Sequence, residues 1–300
     1  MPGCGAPPAA WPAWAAAAGL LAAWWVVPRF EALARDAGFA RENWRGVRLA
    51  TGVGAVLPLA GAAGGAAAFL ATGPWPGAAA GMFFVAAAAL FGLIDDVLDR
   101  DRRRGWGAHA AGLLRGRWTG GTVKLVGIPA AALAAGTFCT GGTAGPGGAA
   151  HVLAALAAAV AAAGTANAVN LTDTRPGRAL KIWYLAAIGL GLAGPREASA
   201  WLLPWAAAAL PLLARDLSEG AMIGDAGSNA LGAALGMGLV FAAPGPELLA
   251  VIALVLTGLQ VLGDRRSLHA WIEGRSWLRA FDTLGRWRPP AAGNLSRFRE

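Results

Sequence analysis

Long apolar stretches dominate this chain and leave few folds open to it. The segments 11–27, 49–71, 77–94, 151–171 and 248–262 each approach the run of about 20 apolar residues that a membrane-spanning helix needs. Only 14% of the 300 residues are charged and 56% are hydrophobic, too little charge for a soluble protein of this length. Inside a bilayer every backbone polar group must find an internal partner, so such segments fold as helices. The expectation is an all-α polytopic membrane protein with about nine transmembrane helices, at roughly 8–28, 49–71, 77–94, 122–140, 149–170, 180–194, 199–214, 227–243 and 247–262. The sixth and seventh are short, are separated by Gly194-Pro195, and Pro204 and Pro211 are predicted to kink the seventh.

The basic residues give an independent reading of that count. Of 25 Lys and Arg, all but Arg196 fall in the loops after the first, third, fifth, seventh and ninth spans or, as Lys124 and Lys181, at the start of the span that follows such a loop. By the positive-inside rule those loops are cytoplasmic, which puts the N-terminus outside and the C-terminus inside. The net charge of +8 then reports basic loops facing anionic headgroups rather than nucleic acid. The first Arg is Arg29, so the first apolar segment reads as a retained helix, not a cleaved signal peptide. Cys4 and Cys139 lack metal-ligand spacing and read as small apolar residues. Abundant Ala and Gly permit close helix packing and are compatible with a homodimer, although genomic composition explains the excess equally well. Residues 1–262 read as one transmembrane domain, and 263–300 as a basic cytoplasmic tail with Trp271, Trp277 and Trp287 interleaved, either lying on the membrane surface or disordered.

Three polar clusters lie at the cytoplasmic mouths of these spans. The first is Phe91-Gly-Leu-Ile-Asp95-Asp96-Val-Leu-Asp99, in which Asp95 and Asp99 share a helix face. Carboxylates this close repel unless a cation intervenes, and a hard divalent ion with phosphate fits. The alternative is a solvated helix end paired with Arg100 and Arg102 to Arg104. The second is Asn167-Ala-Val-Asn170-Leu-Thr-Asp173-Thr-Arg175-Pro-Gly177-Arg178. Its Asn167, Asn170 and Asp173 recur along one helix face, and Arg175, Arg178 and Lys181 suit phosphate oxygens. An Asn-based helix cap with a positive-inside anchor is the alternative there. The third is Met222-Ile-Gly224-Asp225-Ala-Gly227-Ser228, where Asp225 either caps the following helix, approaches a metal, or does both. His109, His151 and His269 stand alone and read as structural.

In order and spacing these motifs resemble the polyprenyl-phosphate N-acetylhexosamine-1-phosphate transferases, over about residues 43–262. Asn43-Trp-Arg45-Gly46 running into Thr51-Gly52-Val-Gly54 is loosely similar to the first cytoplasmic loop of that family. The resemblance implies transfer of a sugar 1-phosphate from a UDP-sugar to a polyprenyl phosphate, releasing UMP. It implies Mg²⁺, or Mn²⁺ in its place, and a site on the cytoplasmic face of a bacterial plasma membrane in cell-envelope glycan synthesis. Carried over by motif, Asp95, Asp96 and Asp173 are the catalytic candidates, and Asp225, Asp96 and Asp99 the metal ligands. Asn167, Asn170, Lys124, Arg175 and Arg178 are the substrate-binding candidates. The chain departs from the family after Asp173, where Asp-Gly-x-Asp-Gly-Leu-Ala is replaced by Asp173-Thr-Arg175-Pro-Gly177-Arg178-Ala-Leu. The His-rich last loop of the pentapeptide transferases and a tenth span are also missing, which argues against a muropeptide substrate. A membrane prenyltransferase would want a second Asp-x-x-x-Asp motif, and none is present. A transporter or scaffold built on this fold is the non-enzymatic alternative.

Overall fold

The computed structural model describes residues 6–98, 112–113, 115–116, 118–141, 148–265 and 268–287. Among the described residues nine long helices follow one another: α1 (Trp11–Asp36), α2 (Leu57–Thr72), α3 (Pro76–Leu98), α4 (Gly120–Thr140), α5 (Ala149–Thr172), α6 (Arg178–Ala193), α7 (Arg196–Leu217), α8 (Gly224–Ala242) and α9 (Pro246–Arg265). Two short helices, α10 (Leu268–Glu273) and α11 (Ser276–Thr283), follow them. Among the described residues six segments are long and apolar enough to cross a membrane: α1, α3, α4, α5, α7, and α2 extended by the 3-10 turn Val53–Val56. The chain is thus an all-α membrane protein in its architecture. The exception is a small antiparallel hairpin, β1 (Ala40–Glu42) and β2 (Arg48–Ala50), which the apolar pattern does not predict.

The seventh predicted span is longer than expected. Helix α7 runs unbroken through both Pro204 and Pro211 for 22 residues, so neither proline ends it. Helix α6 is short, as its sequence implies, at 16 residues.

Helix α8 is the centre of the bundle. Helices α3, α5, α6 and α7 and the 3-10 turn all pack on it, and most of its residues are buried. Its sequence allows this because Gly and Ala occupy nearly every turn, so neighbouring backbones come close. A Cβ at Gly232 or Gly236 would fall on the backbone of α5 at Ala166 or Ala162. Two buried tryptophans tie the flanking helices to it: Trp183 Nε1–H of α6 donates to the Leu231 carbonyl at 2.6 Å, and Trp201 Nε1–H of α7 donates to the Ala234 carbonyl at 2.7 Å. Each bond satisfies an indole donor that burial would otherwise strand. At one end of the bundle, Trp11, Trp75, Trp201 and Phe241 form a cluster of edge-on and tilted rings, with centroids 5.2–6.3 Å apart. Cys139, near that end of α4, is disulfide-bonded rather than a free apolar residue as the sequence suggests. The chain's other cysteine, Cys4, lies outside the described residues.

At the opposite end, the segment after β2 threads against the approach to α8. Ala50 and Ala221 bridge in parallel, Met222 N–H donates to the Ala50 carbonyl at 2.8 Å, and Gly54 N–H donates to the Ile223 carbonyl at 3.0 Å. Glycine is required on both strands of this contact. A Cβ on Gly54 would land on Gly227 Cα, and Gly224, at φ +69°, has room neither for the conformation nor for a side chain beside Asp96 and Gly52. Gly54→Ala is therefore expected to destabilise the protein by about 1–3 kcal/mol, seen as a lower Tm in detergent. Gly65→Ala, where an added Cβ meets nothing within 4 Å, serves as the neutral control.

Candidate functional site

The glycine contact brings four helix ends to one place. Helices α3 and α5 deliver their C-terminal ends, with Asp95, Asp96 and Asn170. Helices α4 and α8 deliver their N-terminal ends, with Lys124 and Asp225. The start of α4 is set by a capping box in which Thr119 Oγ1 accepts from Thr122 N–H at 3.2 Å and Thr122 Oγ1 accepts from Thr119 N–H at 2.6 Å. Gly120 lies so close to α3 that a Cβ there would meet Asp95 Oδ1.

Lys124 is the hub. Its ammonium donates to Asp225 Oδ2 at 2.5 Å and pairs with Asp95 Oδ2 at 2.6 Å. It also lies 3.5 Å from Asn170 Oδ1. Asn170 Nδ2 in turn donates to Asp225 Oδ1 and to Ser228 Oγ, both at 2.9 Å. Two carboxylates, an amide and a hydroxyl from α3, α5 and α8 thus surround one positive charge from α4. Asp95 is 8% exposed and Ser228 fully buried, so these charge-assisted bonds are partly shielded from solvent.

Asp96 has a different role from its neighbour. Its Oδ2 accepts from Ala226 N–H at 3.0 Å and its carboxylate also accepts from the Asp225 backbone N–H. It caps the first turn of α8 from outside that helix, the capping role the sequence suggests for Asp225. Arg41, on β1, donates to the Asp96 carbonyl at 2.5 Å and satisfies the C-terminal end of α3. Asp99 lies outside the described residues.

The other sequence candidates are spread over two neighbouring places. Asn167 donates to Gln260 of α9 at 2.8 Å and is not drawn into the Lys124 cluster. Asp173 ends α5, and burial pushes its carboxyl well above the ordinary value, reinforced by the negative charges of Asp216, Asp225 and Asp96. Arg175 stacks over the exposed Trp44 ring at 4.8 Å, joining the hairpin tip to the loop between α5 and α6. Arg178 is only 2% exposed and fully committed: Nε and Nη2 bind the two oxygens of Asp282 at 2.6 and 2.8 Å, and Nη1 binds Thr174 at 2.7 Å. The phosphate-binding role expected of it would require breaking that pair. Sequence reading missed Asp216 and Asp282. Both sit in polar, charge-mixed stretches with no motif, and only the fold shows that they are 5% and 4% exposed.

No three or more His, Cys, Asp or Glu side chains among the described residues are grouped to hold a metal. The donor set around Lys124 nevertheless suits a hard divalent ion. Mg²⁺ usually takes one or two protein carboxylates and completes its shell with water and substrate phosphate. Asp95 and Asp225 already converge on a cation, and Asn170 and Ser228 add neutral oxygens beside them. No family model matches the chain, and no curated protein matches it either.

Lys124→Met removes the only described cation that pairs with both carboxylates. The expected result is a loss of about 1–3 kcal/mol of stability, with Mg²⁺ raising the Tm of the variant more than that of the unaltered protein. An equal response to Mg²⁺ in both would show that the carboxylate pair is not a cation site.

Proposed function

We propose that the protein transfers a sugar 1-phosphate from a UDP-sugar, with an N-acetylhexosamine as the expected sugar, to a polyprenyl phosphate, with Mg²⁺, at the cytoplasmic face of a bacterial plasma membrane. The observation that carries this reading is the convergence of Asp95, Asp225, Lys124, Asn170 and Ser228 from four helices at one end of an apolar bundle. Carboxylates beside hydrocarbon are costly without a function, and phosphoryl transfer asks of a protein mainly positioning and charge neutralisation. An acceptor with a long isoprenoid tail explains a polar site placed at the mouth of a membrane bundle.

In this reading an oxygen of the lipid phosphate attacks the β-phosphorus of the UDP-sugar. The bond from that phosphorus to the bridging oxygen breaks, and UMP leaves carrying the oxygen. Asp95 and Asp225 are the residues that would hold the metal, which supplies electrostatic stabilisation of the transferring phosphoryl group. Lys124 then has two alternative partners, the carboxylates at rest and a phosphate oxygen when substrate is present. Asp96 keeps the first turn of α8 in place through the Ala226 N–H, so it holds Asp225 in position. Asp173 and Arg175 stand at the adjoining loop, where the donor nucleotide would lie.

For the membrane arrangement we propose all nine long helices as spans, with the N-terminus outside. The basic loops support this, and so does the bonded Cys139. It lies 15 residues from Lys124 along α4, about 22 Å, on the end away from the basic residues, where an oxidising compartment would allow a disulfide. A reporter fused after Glu300 is expected to read as cytoplasmic, and a periplasmic signal would reverse the orientation.

The deciding assay incubates the purified protein with Mg²⁺, undecaprenyl phosphate and a panel of UDP-sugars, and measures UMP. Release is expected with at least one sugar, and Asp225→Asn is expected to lower it by about 100-fold or more with the Tm little changed. No UMP from any sugar, beside an active control enzyme in the same lipid, would sink the transferase reading.

A further inference from the structure

The C-terminal segment reaches back to the loop between α5 and α6 and holds it on one side. Asp282 of α11 is buried and receives both Arg178 nitrogens, and it also pairs with Arg286 at 2.7 Å. Arg286 Nε–H donates to the Pro176 carbonyl at 3.0 Å. Lys181, on the first turn of α6, donates to the carbonyls of Phe281, Asp282 and Leu284 at 2.9, 2.6 and 3.1 Å, closing the C-terminal end of α11. The Trp287 N–H donates to the Leu217 carbonyl at 3.2 Å, so the chain beyond α11 is tied to the end of α7 as well.

The same loop is held from the other side. Asp216, at the end of α7, accepts from Gly177 N–H at 2.6 Å and from the Ile223 backbone N–H, which joins the loop to the approach of α8. Gly177 adopts φ +71°, and a Cβ there would strike Leu217, so the turn is built for this one seating. Asp173 and Arg175 precede these holds on the same loop: Asp173 feels the charges of Asp225 and Asp96, and Arg175 rests on the Trp44 ring.

An ion pair as buried as Arg178–Asp282 gains little net stability, because desolvation offsets the attraction. Burial raises the Asp282 carboxyl, but the two guanidiniums more than reverse this and hold it below the ordinary value of 3.8. The carboxylate is bound by Arg178 and Arg286, with the charges of Lys181 and Arg175 adding to the positive field around it. Without that negative charge, the cations on the loop and on the tail repel each other.

We infer that Asp282 is a positioning residue: through Arg178 and Arg286, the C-terminal helix α11 sets the placement of the loop that carries Asp173 and Arg175, and so makes the tail part of the donor-binding side of the site. The clause about the donor rests on the transferase reading, whereas the placement of the loop does not. Arg178 becomes a strut rather than a phosphate ligand.

The test compares the full-length protein with Asp282→Asn and Asp282→Glu, by hydrogen–deuterium exchange and by kinetics. In Asp282→Asn, peptides covering 173–181 are expected to exchange faster while those covering 120–140 do not change, and Asp282→Glu restores part of the protection. The KM for the UDP-sugar is expected to rise about 10- to 100-fold, with the KM for polyprenyl phosphate unchanged. Unaltered exchange over 173–181, or an equal loosening of 120–140, would overturn the positioning role. If the unaltered protein releases no UMP, the transferase reading fails, and the exchange pattern still decides whether α11 positions the loop.

Discussion

Everything at the polar end depends on how closely backbones can approach one another there. The 3-10 turn enters between α3 and α8 because Gly54, Gly224 and Gly227 present no side chains and Gly52 adopts φ +69°. Gly92 of α3 makes the same allowance toward Asp225, where a Cβ would fall on the carbonyl group. A charged site in an apolar bundle needs its carboxylates within bonding reach of a single cation, and side chains as short as aspartate reach only if their helices nearly touch. The glycines set the distances, and the charges then satisfy one another.

The polar end is consequently layered by function. Lys124 pairs with both Asp95 and Asp225, Asp96 is turned to the backbone of α8, and Arg41 closes the end of α3. Replacing any one of them with an apolar residue of similar size strands a different partner. This mutual dependence gives the cluster one geometry in place of several.

Much of this was legible from residue order, and the reasons for the remainder are physical. Apolar runs located the helices, and the spacing of Asn167, Asn170 and Asp173 predicted one helix face, of which Asn167 and Asn170 lie on α5 while Asp173 stands just past its end. The structure brings Asn170 into the Lys124 cluster but leaves Asn167 with Gln260, a partner 93 residues away that no local period reveals. Pro204 and Pro211 read as kinks, and α7, packed on α1, α6 and α8, remains one helix through both of them. Asp282 was hidden because a carboxylate in a basic tail looks like any solvated charge until its partner arrives from 104 residues away. Capping was read as a role for Asp225, and only the fold shows that Asp96 takes it while Asp225 pairs with Lys124.

Helix α8 lies inside a ring of other helices and exposes almost none of its surface. A lipid-facing helix tilts or shifts when bilayer thickness changes, because its apolar length must match the hydrocarbon around it. A helix sheathed by protein is exempt, since its vertical position is fixed by the indole bonds of Trp183 and Trp201 to its carbonyls. The depth of Asp225 is therefore a property of the bundle and not of the surrounding lipid. Membranes of different acyl length would tilt the outer helices while leaving the polar end at the same height relative to the protein.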